Sequence, residues 1–451
     1  MKRPPHDSAI KASDFLAITQ GLEYPQVTVK SLVVGTIIGS FLSVLGMYYG
    51  LKVGVVPSLN VLAGVGGFML TNWLLKIKLF HGYFSVQENV VIQTCAVACY
   101  SLASQGGFAS GVLALTQNVY EDVGEKKGNN ASDVVDVTWT KAFGWCISIA
   151  LFGFFISFPL RRKMIIESRL LFPSGTATAV MIQTLHSSKD AVEYQWNILF
   201  KSGIVSYCWS IFVYCFEGLG SFPIFGLEPA KYGWTCDWAP GTFAIAVMLP
   251  FRVMSSIFVG CVISFAIMTP YLAAYKGNGD CRNAPSAAID DAGDVKSVDV
   301  QRQAFLDKLF DATHVPATIW VSGLVLFAAV SVVVISLIFP SVEWWKVLVC
   351  CLLIPVFAIG IIQGVGMTDW NISSAVGKLI IFIIGGWSQD GSIIAGLLMC
   401  QMVIVGCSQA ADLMQDFKTG YLVGASAKSM IIAQIFGAVM SCLIVPSVWV
   451  M

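Results

Sequence analysis

Apolar runs of about 20 residues recur along this chain, and each is long enough to cross a bilayer as a helix. They fall at roughly 31–50, 54–75, 88–114, 142–160, 199–218, 241–274, 317–339, 345–365, 374–388, 391–411 and 428–450. The pattern predicts an all-α, polytopic membrane bundle of about eleven spans. Composition agrees, with 56% of the 451 residues hydrophobic and only 12% charged. Soluble chains carry about 25% charged residues. The formal net charge is zero, so no basic surface is available for nucleic acid. Three runs are irregular. The run at 88–114 starts polar, 241–274 is interrupted by Pro250 and Arg252, and 374–388 is short and contains Lys378. Re-entrant or broken helices are expected there.

The chain divides into a polar tail (1–30), an N-terminal membrane half (31–274), a linker (275–316) and a C-terminal membrane part (317–451). The tail lacks a signal-peptide pattern, so the run beginning at Ser31 is expected to act as an uncleaved anchor. Loop charges orient the bundle. With Lys2, Arg3 and Lys11 in the cytoplasm, Lys76, Lys78, Arg161, Arg162, Lys163, Lys418 and Lys428 all fall on the inside. The acidic loop Gln117–Thr138, with the glycosylation pattern Asn130-Ala131-Ser132, then falls outside. The linker, with its amphipathic piece Val300–Phe310, lies between membrane runs and is expected in the cytoplasm. Cysteines such as Cys146, Cys350 and Cys407 sit in apolar segments, where they act as small hydrophobes. Cys236 and Cys281 fall in loops on opposite sides and are not expected to pair.

Three polar constellations interrupt this apolar background. The first is Ser408–Leu422, directly after the apolar run Ile393–Cys407. A helix continuing into it holds Gln409, Asp412 and Asp416 on one face. Carboxylates at a membrane helix end meet water, cations or substrate, or they sit at the headgroups with Lys418. The second is Gln87-Glu88-Asn89 leading to Gln93 and Cys95, where Glu88 shares a face with Val91, Cys95 and Cys99, and Asn89 with Gln93. It reads either as a polar channel wall or as an interfacial helix start with Glu88 on the helix dipole. The third is a pair of helix breaks. One is Pro173-Ser174-Gly175-Thr176-Ala177-Thr178, with Ser174 as candidate cap, and the other is Gly364–Ser374, with Asp369 and Asn371. Half-helices that end at membrane depth aim dipole ends and free backbone groups at a substrate, whereas a tight turn between ordinary spans is the plainer alternative. Proton-coupled carriers need a buried acid. Asp412 is the first candidate, with Glu88 and Asp369 behind it.

The chain has no Gly-rich phosphate loop and no His-Glu-x-x-His, and its four His (His6, His81, His186, His314) are scattered. ATP-driven transport, a zinc site and an intramembrane enzyme are therefore unsupported, and no cofactor is expected.

Several blocks resemble the oligopeptide transporter family, and in particular its yellow stripe-like branch. They are Val56–Asn60, Gln87–Tyr100 with Gly106-Gly107-Phe108, Pro159-Leu160-Arg161, Pro173–Ala179, Ser221–Leu227 and, most specifically, Gln409–Tyr421 with Ser429-Met430 and Gln434. The resemblance is weakest across Lys276–Val342. It implies a membrane carrier that moves metal ions, notably iron, as nicotianamine or phytosiderophore complexes with protons. The sister branch carries small peptides and is the alternative. The Asn-Pro-Gly and Lys-Ile-Pro-Pro-Arg signatures associated with that branch are not found here. A chelate needs hydrogen-bond donors, small residues and a few charges rather than a bare Cys/His site. The residues of that type are Glu88, Asn89, Gln93, Ser174, Gly175, Thr176, Thr178, Asp369, Asn371, Gln409, Asp412 and Asp416. Family members continue beyond the position of Met451, so the resemblance also implies missing C-terminal spans, and a truncated, non-transporting form is a further alternative.

Overall fold

The computed structural model describes residues 26–271 and 316–451, with interruptions at 54–55, 57, 118–119, 122–133, 136, 188, within 217–250, and at 270, 341 and 388–392. Asn130, Cys281 and Val300–Phe310 lie outside the described residues, as does the linker apart from Pro316. In chain order the helices are α1 (Val29–Val53), α2 (Asn60–Lys76), α3 (Val86–Gln105), α4 (Trp139–Ile149), α5 (Phe152–Arg161), α6 (Pro173–Leu185), α7 (Lys189–Cys215), α8 (Phe251–Val262), α9 (Ala317–Ile338), α10 (Trp344–Thr368), α11 (Ser373–Trp387), α12 (Ile393–Val423) and α13 (Ala427–Val450). They form two compact units, α1–α6 with α9–α13 and, separately, α7 with α8.

The architecture is the expected polytopic helical membrane bundle. Among the described residues, seven helical runs are long and apolar enough to cross a membrane: α1, the run Trp139–Glu167 through α4 and α5, the Trp196–Cys215 part of α7, and α9, α10, α12 and α13. The apolar segments near 54–75 and 374–388 form the shorter helices α2 and α11, of 17 and 15 residues.

The polar start at 88–114 becomes α3, which ends at Gln105. Every residue from Glu88 to Ala103 in α3 is buried. A helix that carries Glu88, Asn89, Gln93, Thr94 and Ser101 cannot face lipid, so other helices must enclose it. α1, α2, α12 and α13 pack directly on it. α12 is the second axis, in contact with α3, α5, α6, α10, α11 and α13. Its membrane-length window is 89% buried, against 17% for α9 at the periphery. The largest apolar core gathers around α12, with Leu398, Met402, Met414 and Phe417 packed among Trp145, Phe154, Ile354 and Ile362.

Close approach of these helices depends on small residues. Gly35 and Gly39 of α1 lie against Cys95 and Cys99, where an added Cβ would come within 2.7 and 2.4 Å of the cysteine Cβ atoms. Gly437 of α13 meets α3 beside the same cysteines, with Ala98 Cβ and the Cys95 carbonyl both 2.6 Å from a Cβ at that position. Without a hydrophobic driving force between helices in lipid, such close contact supplies the association energy. Val91, Cys95 and Cys99 do share a face, and it packs on Ala433 of α13. Replacing Gly437 by Leu should therefore lower stability by about 1–3 kcal/mol through overpacking. Gly385→Leu, where nothing lies within 4 Å, should be neutral. Thermal unfolding of the two variants in detergent checks this.

Candidate functional site: a polar seam between two buried helices

α12 stays helical through Asp412 and Asp416 to Val423, so Gln409, Asp412 and Asp416 do stack along one face. The expectation that these carboxylates lie at a helix end is corrected. Asp416 is fully buried and Gln409 nearly so, because α3, α5, α6 and α13 cover this stretch. Each carboxylate is held by a glutamine of α3. Gln93 Nε2 donates to Asp416 Oδ1 at 2.9 Å, and Gln105 Nε2 donates to Asp412 Oδ2 at 2.9 Å. Farther along the same interface, Gln401 Nε2 donates to Ser110 Oγ at 2.9 Å. The Gln401 side chain packs on Gly107 and Gly111, where a Cβ would come within 2.7 and 2.6 Å of it.

The two helix breaks singled out in the sequence meet in space. Phe172, left-handed at φ 44°, donates its N–H to Gly366 O at 2.8 Å. Asp369, also left-handed at φ 61°, ends α10 with its N–H on Val365 O. Asp tolerates this conformation better than a bulky residue does, and strain at Phe172 persists only because its surroundings enforce it. Ser174 was the expected cap of α6, and this too is corrected. The helix begins one residue earlier, at Pro173, whose fixed φ suits the first turn. Ser174 is thus inside the helix, and Asp369 does the capping. Ser174 N donates to Asp369 Oδ1 at 3.2 Å and Ser174 Oγ donates to Asp369 Oδ2.

From Asp369 a hydrogen-bonded line crosses the bundle. Gln415 Nε2 of α12 donates to Asp369 Oδ1 at 3.0 Å, and Asn60 Nδ2 of α2 donates to Gln415 Oε1 at 2.9 Å. Tyr100 OH of α3 donates to Asn60 Oδ1 at 3.3 Å and accepts from Leu59 N at 3.1 Å. Tyr100 also stands near Asp412 and Asp416. Asp412 in turn feels Asp369. Asp369, Asp412 and Asp416 thus belong to one electrostatic environment.

Glu88 is not part of it. Ser85 caps α3 by accepting from Glu88 N at 3.1 Å, and the Glu88 carboxylate pairs with Lys30 Nζ at 3.1 Å while accepting from Thr28 Oγ1. This is a structured helix start on the bundle's edge. Asn89 is fully buried beside Gly67, and neither of its side-chain polar atoms has a partner.

The small hydroxyl residues bond backbone. Thr178 Oγ1 donates to Ser174 O at 2.7 Å, and Thr176 Oγ1 donates to Leu171 O. Gly175 lets α6 touch α12, since a Cβ there would come within 2.5 Å of Gln415 O. Asn371 Nδ2 donates to Ser408 Oγ at 3.0 Å, joining the second break to α12 one residue before Gln409. Sequence reasoning missed Gln105, Gln415, Asn60 and Tyr100. Gln415 lies inside the most specific sequence block, but its partners are far away in sequence.

The seam therefore presents carboxylates, carboxamides, hydroxyls and a phenol. It can hydrogen-bond a polar solute and exchange protons. Among the described residues, no three or more His, Cys, Asp or Glu are placed to hold a metal ion. The amide line also makes a stability prediction. Gln415→Leu leaves the buried Asn60 amide and Asp369 without this partner and should cost about 1–3 kcal/mol. The double variant with Asn60→Leu should lose less than the sum of the two single variants, as thermal unfolding would show.

A family model described as OPT oligopeptide transporter protein matches residues 26–313 and 294–451. The probable metal-nicotianamine transporter YSL6 of Arabidopsis thaliana is 33% identical over 93% of this chain and 72% of its own length. The probable metal-nicotianamine transporter YSL8 of Oryza sativa subsp. japonica is 32% identical over 94% of this chain and 70% of its own. Both carry the names of the yellow stripe-like branch that the sequence blocks resemble. This is an integral membrane protein of a transporter family rather than an enzyme, and the chain belongs to the OPT oligopeptide transporter family.

Proposed function

We propose that this chain is a proton-coupled secondary transporter of metal–chelate complexes, with the metal moved inside its chelator. The observation that carries the reading is the α3–α12 seam. It brings the carboxylates of Asp412 and, at the neighbouring helix break, Asp369 together with amide and hydroxyl groups, and among the described residues it offers no cluster to bind a stripped metal ion. A nicotianamine-type complex presents carboxylates and amines around a wrapped metal. Such a solute needs complementary hydrogen bonds, not thiolate or imidazole ligands. The names of the relatives support the same substrate class.

Within the seam we assign the proton step to Asp412. It is less buried than Asp416 and held by the single amide of Gln105, so access from one side or the other can change its contacts. Asp369, Asn371 and Ser174 at the neighbouring helix breaks, and Gln409 on α12, are assigned to substrate contact. Gly175, Thr176 and Thr178 hold α6 in place. The cytoplasmic N-terminus and the linker between membrane halves remain part of the proposal.

The reading is tested by uptake in yeast lacking its own iron-uptake systems, supplied with iron–nicotianamine or iron–phytosiderophore and with a small peptide as competitor. Saturable uptake that collapses with the proton gradient and ignores the peptide is expected. Uptake inhibited by peptide would assign the chain to peptide transport instead. Asp412→Asn should reach the membrane at normal abundance and lose gradient-driven uptake by about tenfold or more. Normal uptake with an unchanged pH profile would remove Asp412 from this role.

A further inference from the structure

The two carboxylate–glutamine pairs on α12 are not equivalent. In the Asp416–Gln93 pair, one bond is made, from Gln93 Nε2 to Asp416 Oδ1. The other atom of each group, Asp416 Oδ2 and Gln93 Oε1, is buried without a partner. Both residues are 0% exposed. An ionised carboxylate and an amide carbonyl are both acceptors, so as an anion this pair is short of one donor. A buried acceptor without a partner costs about 1–3 kcal/mol, and more when it is charged. At Asp412 the situation differs. Only Gln105 Oε1 is left over there, and Asp412 itself is half-buried rather than sealed.

We propose that Asp416 acts as a hydrogen-bond donor, its carboxyl O–H pointing from Oδ2 to Gln93 Oε1. The pair then closes as an acid–amide ring that holds α3 against α12 beside the transport seam. One proton satisfies both leftover atoms, and it removes a buried anion. A carboxylic acid kept as a donor in a sealed site is an established device. Asp416 is then a positioning residue, and Asp412 alone carries the proton that moves with substrate. The inference rests on the proton-coupled reading above for its link to transport, but not for its chemistry.

The charged and titratable groups around this pair are few. On α12 itself they are Asp412 and Lys418, whose Nζ lies over the Tyr421 ring at 5.5 Å. From the end of α10 comes Asp369, whose charge acts on Asp412. α3 contributes Tyr100, and also Glu88, which is paired with Lys30. α5 contributes Arg161, whose guanidinium lies over the Phe417 ring at 5.8 Å. α6 has no charged side chain, and those of α2 and α13 are the terminal Lys76 and Lys428.

The test exploits the fact that asparagine reproduces a protonated carboxyl in both shape and hydrogen bonding. Asn at 416 donates from Nδ2 to Gln93 Oε1 and accepts from Gln93 Nε2. Asp416→Asn should therefore keep chelate uptake within about twofold of the unsubstituted chain, with its pH profile unshifted. Asp416→Leu, of similar size but unable to pair, should lose about tenfold or more. Loss of uptake in Asp416→Asn at normal membrane abundance, or a shifted pH profile, overturns the proposal. A second measurement does not need transport. Infrared spectra of the full chain in lipid at neutral pH should contain a protonated-carboxyl C=O band that Asp416→Asn removes. If Asp416→Asn leaves the spectrum unchanged, the proposal is overturned even where uptake is normal. If the unsubstituted chain moves no chelate but the band is present and lost in Asp416→Asn, the transport reading fails while the acid–amide pair stands.

Discussion

A charged or strongly polar side chain in a bilayer has to find its partners within the protein, because hydrocarbon offers none. Among the described residues, α3 and α12 carry most of the buried carboxylates and carboxamides, and the bundle is arranged to enclose them. α1, α2 and α13 cover α3, and α5, α6, α10 and α11 cover α12. The most apolar helix, α9, takes a peripheral place. The glycines at 35, 39 and 437 follow from the same constraint, since a polar helix is screened well only when its neighbours approach closely.

The second organising contact is between the two helix breaks. Each alone would be a turn with an unusual backbone: Phe172 and Asp369 are both left-handed. Together they satisfy one another. The Asp369 carboxylate takes up the N–H and hydroxyl of Ser174, and the Phe172 N–H bonds Gly366 O. Gln415 and Asn60 then tie this junction to Tyr100 on α3. A movement of either break would therefore be felt along α12, where Asp412 lies. In the proposed carrier, this is the physical route by which substrate at the breaks and a proton at Asp412 would influence each other.

Much of this was legible in the sequence, for identifiable reasons. Apolar length announces a spanning helix wherever it occurs, so α9, α10 and α13 were readable directly. The helical repeat placed Gln409, Asp412 and Asp416 on one face, and Pro173 and Gly175 announced a break. What stayed hidden was everything that depends on which helix lies beside which. The sequence does not show that Gln105 and Asp412, 307 positions apart, touch, or that Asn60 meets Gln415 across 355 positions. One local signal misled in the same way. Ser174 has the composition of a cap, but the donor groups of α6 are taken by a residue from α10. The partners of Glu88, Lys30 and Thr28, were equally out of view because both lie about 60 positions away.

In the proposed carrier, metal passes the seam only inside its chelator, because the residues there suit a polar organic shell and not a naked ion. Purified protein in proteoliposomes, given iron–nicotianamine with separate radiolabels on the iron and on the nicotianamine, tests this most directly. The account predicts that both labels enter together in constant ratio under an inward proton gradient, and that free iron alone does not enter. Entry of iron without nicotianamine would contradict it.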